Sequence, residues 1–80
     1  MHELGLCRNI LAIVSEHAGD RPVRRVRVAV GPLACVERPA LAFCWGVVTE
    51  GTGLAAAELA FVEAEGDTFL IKDYELEEAA

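Results

Sequence analysis

The chain has 80 residues, enough for one domain but few enough that it buries only about 60% of the surface its unfolded form exposes. Its balance of 54% hydrophobic and 25% charged residues belongs to a folding chain and excludes a disordered one. A formal net charge of −6 repels phosphate backbones and argues against nucleic acid as a partner. No apolar run approaches the roughly 18 to 20 residues that cross a bilayer, so no membrane-spanning helix is expected.

Leu6, Cys7, Ile10, Ile13, Val14 and His17 recur at three- and four-residue steps. That spacing predicts an amphipathic helix, its apolar stripe widened by Leu11 and Ala18. Gly19 and Pro22 in "AGDRP" stop it. His17, on or near the packed face and one turn from the end, reads as a structural or capping residue. In "VRRVRVAV" the residues Val26, Val28 and Val30 alternate with Arg25, Arg27 and Ala29, a strand with one face packed and its arginines in solvent. "GPLACVERP" is a loop, and Pro39 suits the first turn of a second helix, "ALAFCWGVVTE", which the glycines of "GTG" end. That helix is expected to pack on both the sheet and the first helix, burying Leu41, Cys44, Val48 and at least one of Phe43 and Trp45.

"AELAFVEAEG" follows as a second strand, and "GD" turns into a third, "TFLIKDYELE". Phe69 and Ile71 have one parity and Tyr74 and Leu76 the other, so a bulge near Lys72 and Asp73 is needed to bring all four to one side. The order α-β-α-β-β predicts an α+β fold, two helices packed on one face of a three-stranded mixed sheet. The crossover from the first strand through the second helix to the second strand should be parallel and right-handed. The last two strands are expected to pair as a hairpin closed by Gly66 and Asp67. Residues 1–80 read as a single domain.

Cys7, Cys35 and Cys44 form an odd, widely spaced set, unlike a disulfide framework or a zinc site, and Cys7 falls on the apolar side of its helix. The start lacks the basic, apolar and small-residue pattern of a signal peptide, so a cytoplasmic location is expected. No serine, cysteine or histidine is grouped with a positioned base, and no Gly-rich phosphate loop is present. An enzyme is therefore not expected. A small core with an exposed strand edge leaves a homodimer open.

Chemistry concentrates in "MHELGLC". Methionine is trimmed before small residues, and His2 is large, so Met1 should remain and present a free amine beside an imidazole. The amine, the His2 and Glu3 backbone nitrogens once a metal displaces their protons, and the His2 ring supply four nitrogens in linked chelate rings. That planar set suits Ni(II) or Cu(II). Protons compete for the same nitrogens, so binding of this kind weakens as pH falls. Glu3 can add an axial carboxylate oxygen or favour the helix start through its dipole. His17 lies about 20 Å away along the helix at about 1.5 Å per residue, too far to share one metal within a chain.

"MHELGLCRNILAIVSEHA", the strand "VRRVRVAVGPLACVERPAL", the helix "LAFCWGVVTEGT", the strand "AELAFVEAEG" and the terminal "GDTFLIKDYELEE" together resemble the HypA-type nickel-incorporation proteins of NiFe-hydrogenase maturation. The resemblance implies a nickel metallochaperone that takes Ni(II) at its terminus and passes it, with a HypB-type GTPase, to the hydrogenase large subunit. On this resemblance Met1, His2 and Glu3 match the nickel motif, and Glu37, a weaker match, falls where some relatives carry an acidic residue near that terminus. The family's zinc lobe, with two Cys-x-x-Cys pairs, would sit between the second and third strands. Only "AEGDTF" stands there, so the lobe is missing at about residues 64–67 and zinc is not expected. The alternative is an adaptor or interaction domain that keeps the fold without a metal role. Copper or cobalt in place of nickel is a further possibility.

Overall fold

A computed structural model describes residues 2–78, arranged as α1 (Glu3–Ala18), β1 (Val23–Val30), α2 (Arg38–Thr49), β2 (Glu58–Glu63) and β3 (Phe69–Leu76). Both helices cover one face of a mixed sheet, α1 beside β3 and α2 beside β2, and they pack on each other. This is the α+β arrangement expected from the sequence.

In α1 the buried positions are Cys7, Ile10, Val14 and Ala18, spaced by three and four. His17 is exposed, contrary to expectation. The stripe centres on the line through Val14 and Ala18, and a neighbour in sequence is turned about 100° away from it. The capping role passes to Arg21, whose Nε donates to the Ala18 carbonyl at 2.9 Å and whose Nη2 donates to that of His17 at 2.8 Å. Gly19, at φ 62°, reverses the chain and donates its N–H to the Ser15 carbonyl at 2.9 Å.

The sheet order is β2-β1-β3, with β2 parallel and β3 antiparallel to β1. The parallel crossover through α2 agrees with the sequence reading, but the hairpin does not: β1 lies between β2 and β3. Val23, Val26, Val28 and Val30 are each at most 3% exposed, whereas β2 and β3 have no fully buried residue. The strand richest in buried β-branched residues takes the centre, where both of its edges are paired. Residues 64–68 therefore pass over the end of β1. There the Gly31 N–H donates to the Thr68 carbonyl at 2.8 Å, and the Leu33 N–H to the Gly66 carbonyl at 2.8 Å.

The register moves from Arg27↔Asp73 to Val28↔Ile71, which leaves Lys72 as the extra residue. The bulge falls where the parity switch required it, and Phe69, Ile71, Tyr74 and Leu76 all pack against the core. In α2 the buried residues are Leu41, Trp45 and Thr49, one turn apart. Cys44 and Val48 are half-buried, and of the two aromatics Trp45 goes in while Phe43 stays 74% exposed. Trp45 Nε1 donates to the Ala57 carbonyl at 3.0 Å, tying the connector before β2 to the helix.

The uncovered face of the sheet is a cross-strand ladder of charges. Arg27 Nε donates to Asp73 Oδ1 at 2.7 Å and its Nη1 to Glu75 Oε2, while Arg25 reaches Glu75 and Glu58 at 3.5 and 3.6 Å. The arginines meet solvent but do so paired. The Arg27 hydrogen bond, ahead of a smaller opposing effect of burial, holds the Glu75 carboxyl below its ordinary 4.5. A carboxyl lowered on folding contributes stability above its unfolded value and loses it as pH falls through its folded value. The stability difference between the native chain and Glu75→Gln should therefore be flat at neutral pH. It should shrink only below about pH 4.5, read from urea midpoints across an acid series.

Candidate metal centre

The two helices run in the same direction with their starts side by side. The Glu37 N–H donates to Glu3 Oε2 at 3.2 Å, and one turn further along, Cys7 Sγ donates to the Leu41 carbonyl at 3.2 Å. Both helices open alike. His2 and Glu37 are the extended residues before the first turn, neither forms a side-chain cap, and their carbonyls accept from Leu6 and Leu41 at 3.1 and 2.9 Å. No acidic residue stands in the first turn of α2. The Glu3 carboxylate supplies from the neighbouring helix both the missing acceptor and the negative charge that a helix N-terminus favours. The Glu37 N–H, followed by Glu3's own N–H, draws the Glu3 carboxyl below its ordinary 4.5, so it is ionised at neutral pH.

Of the residues selected from sequence, Met1 lies outside the described residues. His2 is exposed and sits at the cap of α1, and Glu3 follows at the first helical position. Glu37 is brought against Glu3, although through its backbone N–H, and its side chain is exposed. The Glu3 N–H belongs to the first turn, where no helical carbonyl is available to accept it, so a metal that displaced its proton would break no helical bond. Among the described residues no group of three or more His, Cys, Asp or Glu side chains is placed to hold a metal. The donors this corner offers are thus main-chain nitrogens, one imidazole and the Glu3 carboxylate.

Cys7 is fully buried, and burial pushes its thiol up to about 11, which keeps it protonated and a packing residue. Arg38 was not singled out from the sequence. It follows Glu37, and its guanidinium contacts Glu63, the Val30 carbonyl and the Phe61 ring. A cation in the first turn of a helix opposes the dipole, and that misfit was the available sign that Arg38 has a partner elsewhere.

Among the described residues no helix is long and apolar enough to cross a membrane. A family model described as "Hydrogenase/urease nickel incorporation, metallochaperone, hypA" matches residues 1–69. Hydrogenase maturation factor HypA of Trichodesmium erythraeum (strain IMS101) is 42% identical over 66 residues, covering 82% of this chain and 58% of that protein. HypA of Legionella pneumophila (strain Lens) is 39% identical over 70 residues, covering 84% of this chain and 62% of that one. The chain therefore spans about three-fifths of the length of these relatives. The solution structure of the Ni metallochaperone HypA from Helicobacter pylori superposes with a TM-score of 0.70 at 15% identity, covering 98% of this chain and 95% of that one, and shares its fold. On the family match, the identity to maturation factors and the common fold, this chain belongs to the HypA family of nickel-incorporation proteins.

Proposed function

We propose that the chain carries Ni(II) as cargo, taken up through the Met1 amine, the His2 and Glu3 backbone nitrogens and the His2 imidazole. Glu3 would be an axial ligand or a charge balance, and Glu37 would stand beside it. Delivery in hydrogenase maturation is supported by the names of its relatives. A HypB-type GTPase and a hydrogenase large subunit as partners, and the cytoplasm as location, are what the family resemblance implies. The role is carriage and not catalysis. The span of 1–80 acts as one nickel-binding domain, with no zinc lobe at about 64–67 and no zinc requirement.

The observation that carries the reading is the exposed His2 standing immediately before a helix whose first N–H is free of any helical acceptor. Planar nitrogen donation fits such a corner better than a cage of side chains. Titration of the untagged chain, followed by the visible absorption of planar Ni(II) and by calorimetry, is expected to show one nickel bound per chain. Extra residues ahead of Met1, or His2→Ala, should abolish that uptake and leave the far-ultraviolet circular dichroism unchanged. Undiminished affinity in either variant overturns the assignment. A His2→Ala chain that binds no nickel yet supports maturation fully would favour the adaptor reading.

A further inference from the structure

We propose that Arg38 is a positioning residue for the amino-terminal metal motif, an assignment that rests on the nickel reading above. Its Nη1 donates to Glu63 Oε1 at 3.0 Å and its Nη2 to the Val30 carbonyl at 3.2 Å, and its guanidinium carbon lies 5.9 Å from the centre of the Phe61 ring. Val30 and Glu63 are the last residues of β1 and β2, Phe61 lies within β2, and Arg38 itself is the first residue of α2. The planar fork holds the start of the helix against the sheet in one orientation, which a flexible ammonium would not do.

The arginine side chain is 37% exposed and that of Glu63 81% exposed, so the ion pair contributes little to overall stability. Its consequence is geometric. Glu37 precedes Arg38 and presents the N–H that grips Glu3 Oε2 at 3.2 Å, and Glu3 adjoins His2. The sheet thus fixes Arg38, Arg38 fixes the Glu37 amide, and the amide grips the Glu3 carboxylate and through it restrains the residue whose backbone nitrogen planar donation uses. Prearranging a chelate lowers the ordering cost of closing it.

The test compares Ni(II) affinity of the whole chain with that of the free peptide Met-His-Glu-Leu amide, which has the same donors and no scaffold. The whole chain is expected to bind more than about tenfold tighter, because the helix start already places the His2 and Glu3 backbone nitrogens. Arg38→Ala should lose most of that margin. Arg38→Lys, which keeps the charge but not the fork, and Glu63→Gln, a change at an exposed site that leaves folding intact, should each lose part of it. The planar Ni(II) absorption should keep its wavelength, because the ligands do not change. The Glu37 amide resonance should shift in these variants while those of Val26 and Val28 stay in place. Full retention of the margin in Arg38→Ala and Glu63→Gln overturns the proposal, as does a native chain that binds no tighter than the peptide, although nickel carriage then stands. A native chain that takes up no nickel overturns the carriage reading itself.

Discussion

Gly31→Ala is expected to cost about 3 kcal/mol or more of folding stability, the overpacking penalty where no neighbour can yield. A Cβ at position 31 would lie 2.2 Å from the Gly66 carbonyl oxygen and 2.7 Å from that of Glu65, both of them backbone atoms. The cause is the strand order. Residues 64–68 must reach from β2 to β3 across two strand spacings, about 10 Å, over the end of β1. The turn settles directly on residue 31, and the bonds from Gly31 to Thr68 and from Leu33 to Gly66 hold it there at 2.8 Å each. Thr68 Oγ1 and N–H both donate to the Glu65 carbonyl, at 2.6 and 3.2 Å, so the turn is braced internally as well. Lifting it to admit a methyl breaks these bonds. Stability at about 0.05 to 0.15 kcal/mol per residue is small for a chain of this length, so the loss should appear as a large drop in the urea midpoint. Gly53→Ala, where an added Cβ meets nothing within 4 Å, is the control and should be close to neutral. Equal midpoints for the two variants would refute the tight seat.

Trp45→Ala is expected to be about as damaging, roughly 3 to 5 kcal/mol, because it empties a large buried site. The indole is 4% exposed, and its Nε1 donates to the Ala57 carbonyl at 3.0 Å, so its loss also leaves a buried acceptor unpaired. Thr49, itself buried, donates its hydroxyl to the Trp45 carbonyl at 2.7 Å and rests on the same support. Trp45→Phe keeps most of the volume and removes the donor, and should cost about 1 to 3 kcal/mol, which separates the bond from the packing. Phe43, two residues earlier and 74% exposed, is the internal comparison, and Phe43→Ala should change stability by no more than about 0.5 kcal/mol. Thermal unfolding followed by circular dichroism measures all three. Comparable losses at positions 43 and 45 would mean that α2 is rotated from its described orientation.

Much of this was legible because the signals were periodic. The helices, the strand at 23–30 and the bulge at Lys72 follow from repeats of 3.6 and 2 and from the parity switch in β3, whereas the second register shift, between Val23 and Arg25 on β1, does not. Strand order was not legible by the same means. Sequence adjacency and the short "EGDTF" link favour a hairpin between β2 and β3. What decides their separation is how much surface each strand buries, a property of the assembled sheet. His17 was misplaced because a stripe at three- and four-residue steps has margins, and at its margin one residue more or less turns a side chain outward.

At the metal corner, His2 and Glu3 stood out from chemistry, whereas Glu37 entered through family resemblance. That Glu37 meets Glu3 through its N–H has no side-chain pattern to announce it, since every residue but proline carries that donor. Arg38 escaped notice for a related reason. Its three contacts lie 8, 23 and 25 positions away, and only the fold brings them within reach.

With β1 in the middle, each outer strand has one ladder and shares none with the other. Either edge can open transiently while the rest holds, but no opening of β1 leaves a sheet behind. Amide protons of the Val26 and Val28 region should therefore exchange with solvent only through global unfolding, whereas parts of β2 and β3 exchange through local fraying.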